Sequence, residues 1–328
     1  MRTFYLGENE YTYPDAWYEL NQEQYLALVA VLIDYSEGTY TAEQARAVWF
    51  CIIAGIDPNV VLHPTRSAMI SENIYRAARE FTFFFKIEYA KTINHLSIES
   101  QKLLRKRQPQ ELPQTPEIRW AKKLKCKYVP DSVFAAQLIP QIIVDKETFQ
   151  GYKLVLNGQI LSTSITAQQY IDANTIIEEF FNSNDFDLLN KLIAILYFPG
   201  IYEPDRLNEF ELIFRNINPV IKQGVLLNFN ALTQFLALRT KYGIMWTSIK
   251  KEKTPDITIG LNDTIYSLSK LGYGSVDELS RINLMTFLNL SLKNIIDTVN
   301  SLHENEVSII EISNKTGLPV TSIQKLIA

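Results

Sequence analysis

Two stretches of this chain, 145 residues apart, carry the same succession of local folding signals, and that succession limits the architecture more than any single motif does. In the first, Thr3 to Tyr13 alternates apolar and polar residues on both sides of Gly7 to Asn9, the pattern of a short β-hairpin. Asn21 then stands where a side-chain oxygen can cap a helix, and Tyr25, Leu28, Val29 and Leu32 fall on one helical face. A second helix is predicted from Ala42, after Thr41, to Ala54, stopped by Gly55 and Pro58. In the second stretch, Tyr152 to Leu161 alternates around Asn157-Gly158, a dipeptide suited to the positive φ angles of a two-residue hairpin turn. Ile165-Thr166 leads into Gln169-Tyr170 as a capped helix start, and a further helix is predicted from Leu188 to Phe198, ended by Pro199-Gly200.

A shift of 145 residues lays Leu20 on Ile165, Asn21 on Thr166, Gln24-Tyr25 on Gln169-Tyr170 and Gly55-Ile56 on Gly200-Ile201, without a gap. Few residues are identical, so the order of hairpin, cap, Gln-Tyr, helix, helix and Gly-Ile carries the suggestion of two related units. Coincidence between two ordinary hairpin-helix pairs is the alternative.

The expected fold is mainly α with small β-hairpins, an α+β class, and 328 residues exceed what one hydrophobic core usually serves. The expected divisions are an N-terminal hairpin plus helices (1–107), a basic, proline-containing linker (108–130), a second hairpin-helix unit (131–250) and a C-terminal helical subdomain (256–328). Within them, Ser71 to Lys86 reads as a helix capped by Ser71, with Ile87 to Arg107 as another. Leu207 to Ile217, Pro219 to Leu227, Ala231 to Tyr242, Asp263 to Leu271, Ser275 to Ile282 and Leu284 to Ser301 read the same way. Phe81, Phe83, Phe84 and Phe85 crowd the first of these. Consecutive aromatics point in several directions around a helix, so some are expected to meet a neighbouring element or a partner.

The longest apolar runs, such as Tyr25 to Ile33 and Ala47 to Ile56, fall well short of the ~20 residues that cross a bilayer, and Met1 to Phe4 shows no signal-type apolar region. A cytoplasmic location is expected. Cys51 and Cys126 are too few for a disulfide framework, and Cys51, inside an apolar run, reads as a small core hydrophobe. Charge is unevenly placed: Lys102 to Lys127 holds nine basic residues against Glu111 and Glu117, so a local +7 stands against −11 for the rest of a chain whose net charge is −4. Such segregation suits nucleic acid or an acidic protein surface; a solvated linker containing Pro109, Pro113 and Pro116 is the plainer account.

No familiar catalytic arrangement is present in the sequence. His63, His95 and His303 have no partner at metal-binding spacing, no phosphate-wrapping or dinucleotide glycine pattern occurs, and Gly272-Tyr273-Gly274 lies between helices as a helix-ending turn. Paired carboxylates such as Glu178-Glu179 read as solvated faces. No catalytic residue, cofactor site or metal site is therefore assigned, and the chain is expected to act by binding rather than by catalysis. The residues expected to meet a partner are Trp17, Tyr25, Phe83, Phe84 and Tyr170.

At the end of the chain, Ile309 to Ile327 resembles the helix-turn-helix pattern of DNA-binding domains. A small residue, Ser313, and then a turn glycine, Gly317, are flanked by the apolar positions Ile309, Ile312, Leu318, Ile323 and Ile327. A reading helix must offer donors to the major groove with phosphate contacts nearby, and this one offers Lys325 with Thr321, Ser322 and Gln324. A structural helical hairpin is the favoured reading. The alternative is a DNA-binding accessory factor in which Arg105, Lys106, Arg107, Lys122, Lys123 and Lys125 add phosphate contacts to Lys325.

Three segments carry a family resemblance. The opening hairpin with Pro14-Asp15-Ala16-Trp17 and Leu20 to Tyr25 resembles the beginnings of proteins from tailed-phage and prophage structural gene clusters. Tyr152 to Tyr170 is similar to the start of small tail assembly chaperones, and Gly274 to Phe287 is similar to the helical tails of such proteins. The resemblance implies a non-catalytic role in building or forming a virus particle, in the host cytoplasm or the virion, with other phage structural proteins or a second copy as partner. The length departs from that of the short chaperones, so a connector or tail-associated virion component fits the resemblance equally.

Overall fold

A computed structural model of the chain describes residues 1–6, 9–63, 68–89, 94–106, 115–121, 126–246 and 260–327. It is mainly helical with four separate two-stranded antiparallel sheets among the described residues, and it divides into two compact units, Met1–Ser132 and Val133–Ala328.

In the first unit β1 (Arg2–Leu6) and β2 (Asn9–Tyr13) pair as the expected hairpin, Arg2 opposite Tyr13 and Leu6 opposite Asn9. Helix α1 (Gln22–Ser36) starts at a reciprocal cap: the Asn21 side chain accepts from the Gln24 amide while the Gln24 side chain accepts from the Asn21 amide. Thr41 and Gln44 repeat that exchange at the head of α2 (Ala42–Ala54), which ends on Gly55 in the left-handed region. Two helices follow, α3 (Asn59–Leu62) and α4 (Ala68–Ala78).

Here the expected helices give way. The helix predicted to reach Lys86 stops at Ala78, Ser71 is buried inside it rather than capping it, and Phe85 opens β3 (Phe85–Tyr89). An aromatic run with Thr82 and Ile87 favours turn and strand over helix. It also lets several rings reach one core: Trp49 meets Phe81, Phe83 and Phe84 edge-on at 4.9, 5.6 and 5.3 Å. The second predicted helix is reduced to α5 (Ile98–Lys106). The expected linker is also corrected in part, because α6 (Pro116–Ala121) sets Ile118 against Leu104 of α5, and β4 (Cys126–Pro130) pairs antiparallel with β3, Ile87 opposite Tyr128.

The second unit begins with an extended segment held by a helix that follows much later in the chain. Buried Asn228 accepts from the Leu138 amide at 2.8 Å and donates to the Ala136 carbonyl at 2.6 Å. Two hairpins come next, β5 (Gln141–Val144) with β6 (Glu147–Gln150), and β7 (Leu154–Asn157) with β8 (Ile160–Thr163). The Thr166–Gln169 cap opens α7 (Ala167–Ser183). Helix α8 (Leu188–Leu196) is buried on nearly all sides and packs on α7, α9 (Leu207–Glu211) and α10 (Pro219–Arg239), as a helix with no polar face must. Where two helices were expected between Pro219 and Tyr242, α10 runs unbroken to Arg239. The polar side chain of Asn228 serves the segment beside it instead of interrupting its own helix.

The remaining helices are α11 (Gly260–Lys270), α12 (Val276–Arg281), α13 (Leu284–Glu304), α14 (Ile309–Thr316) and α15 (Val320–Ile327). They belong to the same compact unit as the second hairpin pair, where a separate subdomain had been expected; the charged boundary at residues 250–255 lies outside the described residues. Val299 of α13 joins Ile312, Leu318 and Ile323 in a small three-helix core, so the helix that completes the turn motif precedes it. No described helix is long and apolar enough to cross a membrane.

Candidate partner-binding face

Four of the five aromatic residues expected at a partner surface are core residues. Trp17, Tyr25, Phe84 and Tyr170 are buried and Phe83 is half-buried. Trp17 lies edge-on to Phe83 at 5.4 Å and donates from Nε1 to the Asp131 carbonyl at 2.8 Å, while Tyr170 packs on Phe229 at 5.7 Å. A partner touches surface, so the four buried rings are not available to one, and their size and rigidity stabilise the two units instead. Of the basic residues, Arg107, Lys122, Lys123 and Lys125 lie outside the described residues. Arg105 and Lys106 close α5, with side chains outside the described set, and Lys325 is exposed on α15.

Among the described residues exposed apolar side chains are scattered over both units, and three of them, Val155, Leu156 and Ile160, lie together on the ribbon β7–β8. Along a strand neighbouring side chains alternate faces, so Val155 beside Leu156 must leave one of them outward. Both are exposed, Val155 at 56%, and Ile160 across the ribbon is 73% exposed. The pairing sets Leu156 opposite Leu161 and Asn157 opposite Ile160, which makes Gly158-Gln159 the two-residue loop. The turn is thus one residue later than the Asn-Gly signal implies, and Gly158 supplies the positive φ, 59°, that the first loop position requires.

The base of the ribbon is fixed. Lys153 and Ser164 exchange backbone and hydroxyl bonds, Asn283 donates its side-chain amide to the Thr163 carbonyl, and the Ala167 and Leu284 amides donate to Ile282 and Ile165 at 2.9 Å. Among the described residues the tip is not held in this way. A two-stranded ribbon with only half of its faces packed is marginal alone, and β7 has β8 as its only strand partner among the described residues, which leaves its second edge open to a further strand.

Beside the ribbon lies a groove of about 730 Å³, bordered by Leu156, Ile160 and Leu161, by Phe235 and Arg239 of α10, and by Lys241. The wall at Lys241 is a 3₁₀ turn, Lys241–Trp246, whose Gly243 has no room for a side chain: a Cβ there would stand 2.4 Å from the Ala237 carbonyl oxygen. Tyr242 anchors the same turn by donating to Asn289 at 3.0 Å, and the Lys241 ammonium stands 5.2 Å from the Tyr242 ring centroid. No carboxylate borders the groove, and neither Arg239 nor Lys241 makes an ion pair among the described residues. Gln159, Thr240 and Asn289 also border it, so the groove is mixed, an apolar side at Leu156, Ile160, Leu161 and Phe235 facing two cations that form no ion pair among the described residues.

The C-terminal turn has the expected geometry, with Gly317 left-handed, Ser313 buried and its hydroxyl donating to the Leu318 carbonyl at 2.7 Å. From α13 to α15 Asp297, Glu304, Glu306 and Glu311 outnumber Lys293, Lys315 and Lys325, and Lys315 is paired with Glu311 at 3.0 Å.

Cys51 is buried, and burial together with nearby Asp57 pushes its thiol up to about 11, so it is an inert core residue and not a nucleophile. Asp172 accepts from the Tyr202 hydroxyl and the Gln168 side chain, both at 2.7 Å, yet its burial raises its pKa above the usual carboxylate value. Comparison of the chain with protein-family models, with curated proteins and with solved structures gives no match.

Proposed function

We propose that this protein is a non-catalytic docking component of a tailed-phage-type particle or of its assembly, and that ribbon β7–β8 with the adjoining groove receives an extended, acidic and apolar segment of another structural protein. The observation that carries the docking role is the exposure of Val155, Leu156 and Ile160 on a ribbon whose outer edge is open. Burying one such side chain fully is worth about 1.5–3 kcal/mol, and an added strand would supply main-chain bonds as well. Arg239 and Lys241 favour an acidic partner by charge complementarity. The virus-particle setting is supported by the resemblance of the opening, the Tyr152 to Tyr170 segment and Gly274 to Phe287 to phage structural-cluster proteins. Docking of protein is preferred to DNA binding because the turn motif at the C-terminus sits among more acidic than basic residues.

The test is co-expression of the tagged chain with each product of the structural genes that flank its own, followed by purification and identification of the retained product. The expected result is stoichiometric retention of one named structural protein, reduced at least tenfold by Ile160→Lys or Val155→Lys. Both sites are exposed, so neither change threatens folding. Retention of none of these products by the unaltered chain, or equal retention by both variants, contradicts the proposal.

A further inference from the structure

Asn157-Gly158 is the one Asn-Gly pair in the chain, and it stands at the tip of ribbon β7–β8. Both residues are exposed. The Asn157 side chain makes no hydrogen bond among the described residues, and neither does the Gly158 amide, which lies beyond the closing pair Asn157–Ile160. A Cβ placed on Gly158 would meet nothing within 4 Å, so the space about that residue is open. Other asparagines followed by a small residue are differently placed: Asn182-Ser183 lies in α7 and Asn300-Ser301 in α13, where helical hydrogen bonding engages the main-chain nitrogens.

We propose that Asn157-Gly158 is a site of spontaneous deamidation, and that the conversion withdraws the free ribbon from docking. The Gly158 nitrogen, having lost its proton to hydroxide, attacks the side-chain amide carbon of Asn157. The bond from that carbon to the side-chain nitrogen breaks, and ammonia leaves with a proton from water, which returns the hydroxide. Water then opens the resulting succinimide at either carbonyl. One opening restores the main chain with aspartate at 157; the other routes the main chain through the former side chain as isoaspartate. Water is consumed, ammonia is released, and nothing is oxidised or reduced. Glycine favours the ring closure because it has no Cβ to crowd the attacking nitrogen and takes positive φ as readily as negative. Ladder pairing opposes it by holding Asn157 extended opposite Ile160, so closure proceeds when the tip opens, and a two-stranded ribbon is marginal alone. Either product places a carboxylate next to Gly158, which borders the groove together with Arg239 and Lys241. Negative charge there repels an acidic segment, and isoaspartate also lengthens the main chain at the closing pair. The modification stands on the ribbon itself, and its effect on docking rests on the docking role proposed above. A docked segment holds the tip closed, so docked chains are spared and unassembled ones are converted.

The measurement is peptide mass spectrometry of the full chain, sampled through incubation at neutral and at mildly alkaline pH. Asn157 is expected to be the first asparagine of the chain converted to aspartate and isoaspartate, and to convert faster at the higher pH. Gly158→Asn, a residue that tolerates the left-handed turn, is expected to slow conversion at Asn157 at least tenfold. No conversion at Asn157, earlier conversion of another asparagine, or an unchanged rate in Gly158→Asn overturns the modification. For docking, Asn157→Asp is expected to retain the co-expressed structural protein at least tenfold less than the unaltered chain does. Equal retention overturns the effect on docking while the chemistry at Asn157, which is read without any partner, stands. Retention of no partner by the unaltered chain overturns the docking role and the consequence drawn from it, again leaving the modification to its own measurement.

Discussion

Asp172 shows how a single side chain ties this fold to solution conditions. Its carboxylate receives two hydrogen bonds, but burial outweighs them and its pKa in the folded chain lies above the unfolded value. The sign follows from linkage: the protonated form is favoured by folding, so the penalty is absent below the ordinary aspartate pKa and grows as pH rises through the folded value. Wild type should lose stability relative to Asp172→Asn over that window, read as a falling difference in urea midpoint from acid to neutral pH. A difference that stays flat contradicts the assignment. At this scale the sequence was a partial guide. Tyr25 and Tyr170 were visible as corresponding positions, and both are fully buried behind the same capping exchange. Their burial was not legible, because residue type alone does not say whether a large aromatic lies inside or at a surface. The exposed ribbon residues had a readable signal in the adjacent pair Val155-Leu156, since a strand cannot bury both on one face. Arg46 had none, for its burial depends on Phe85 and Tyr128, far off in the chain.

Among the elements, those with local punctuation were legible and those decided by distant packing were not. Asn21, Thr41, Thr166 and Ser275 each precede Gln or Glu by three residues, and all four make the reciprocal cap. Thr166→Ala should therefore cost about 1 kcal/mol, measured as a lower urea midpoint; an unchanged midpoint would mean that the hydroxyl contributes nothing to α7. The hairpin β5–β6 escaped notice because its loop, Asp145-Lys146, takes positive φ at both residues without a glycine. Strands β3 and β4 were hidden for another reason. Residues 85–89 pair with 126–130 across about forty residues of chain, and no local pattern announces a partner so distant. Unbroken α10 was likewise fixed by a tertiary bond, the bracket of Asn228 on Ala136 and Leu138.

For the whole molecule, the fold class was legible because hairpin and helix signals recur along the chain, and the structure is mainly helical with small antiparallel pairs. Both units contain a hairpin, a helix opened by an Asn-or-Thr with Gln exchange, a buried tyrosine one residue later and a following helix. The surroundings of those shared parts differ. The first unit closes with an aromatic cluster about Trp49, the second with the buried helix α8 and the three-helix end, so what each presents to a partner differs too. The docking reading rests on the second unit, whose ribbon leaves apolar side chains and a strand edge uncovered. Amide hydrogen exchange across residues 154–163, compared between the free chain and its complex with the co-expressed structural protein, tests it most directly. The ribbon amides should exchange quickly in the free chain and become strongly protected in the complex. Unchanged exchange at 154–163, with protection appearing elsewhere, would contradict it.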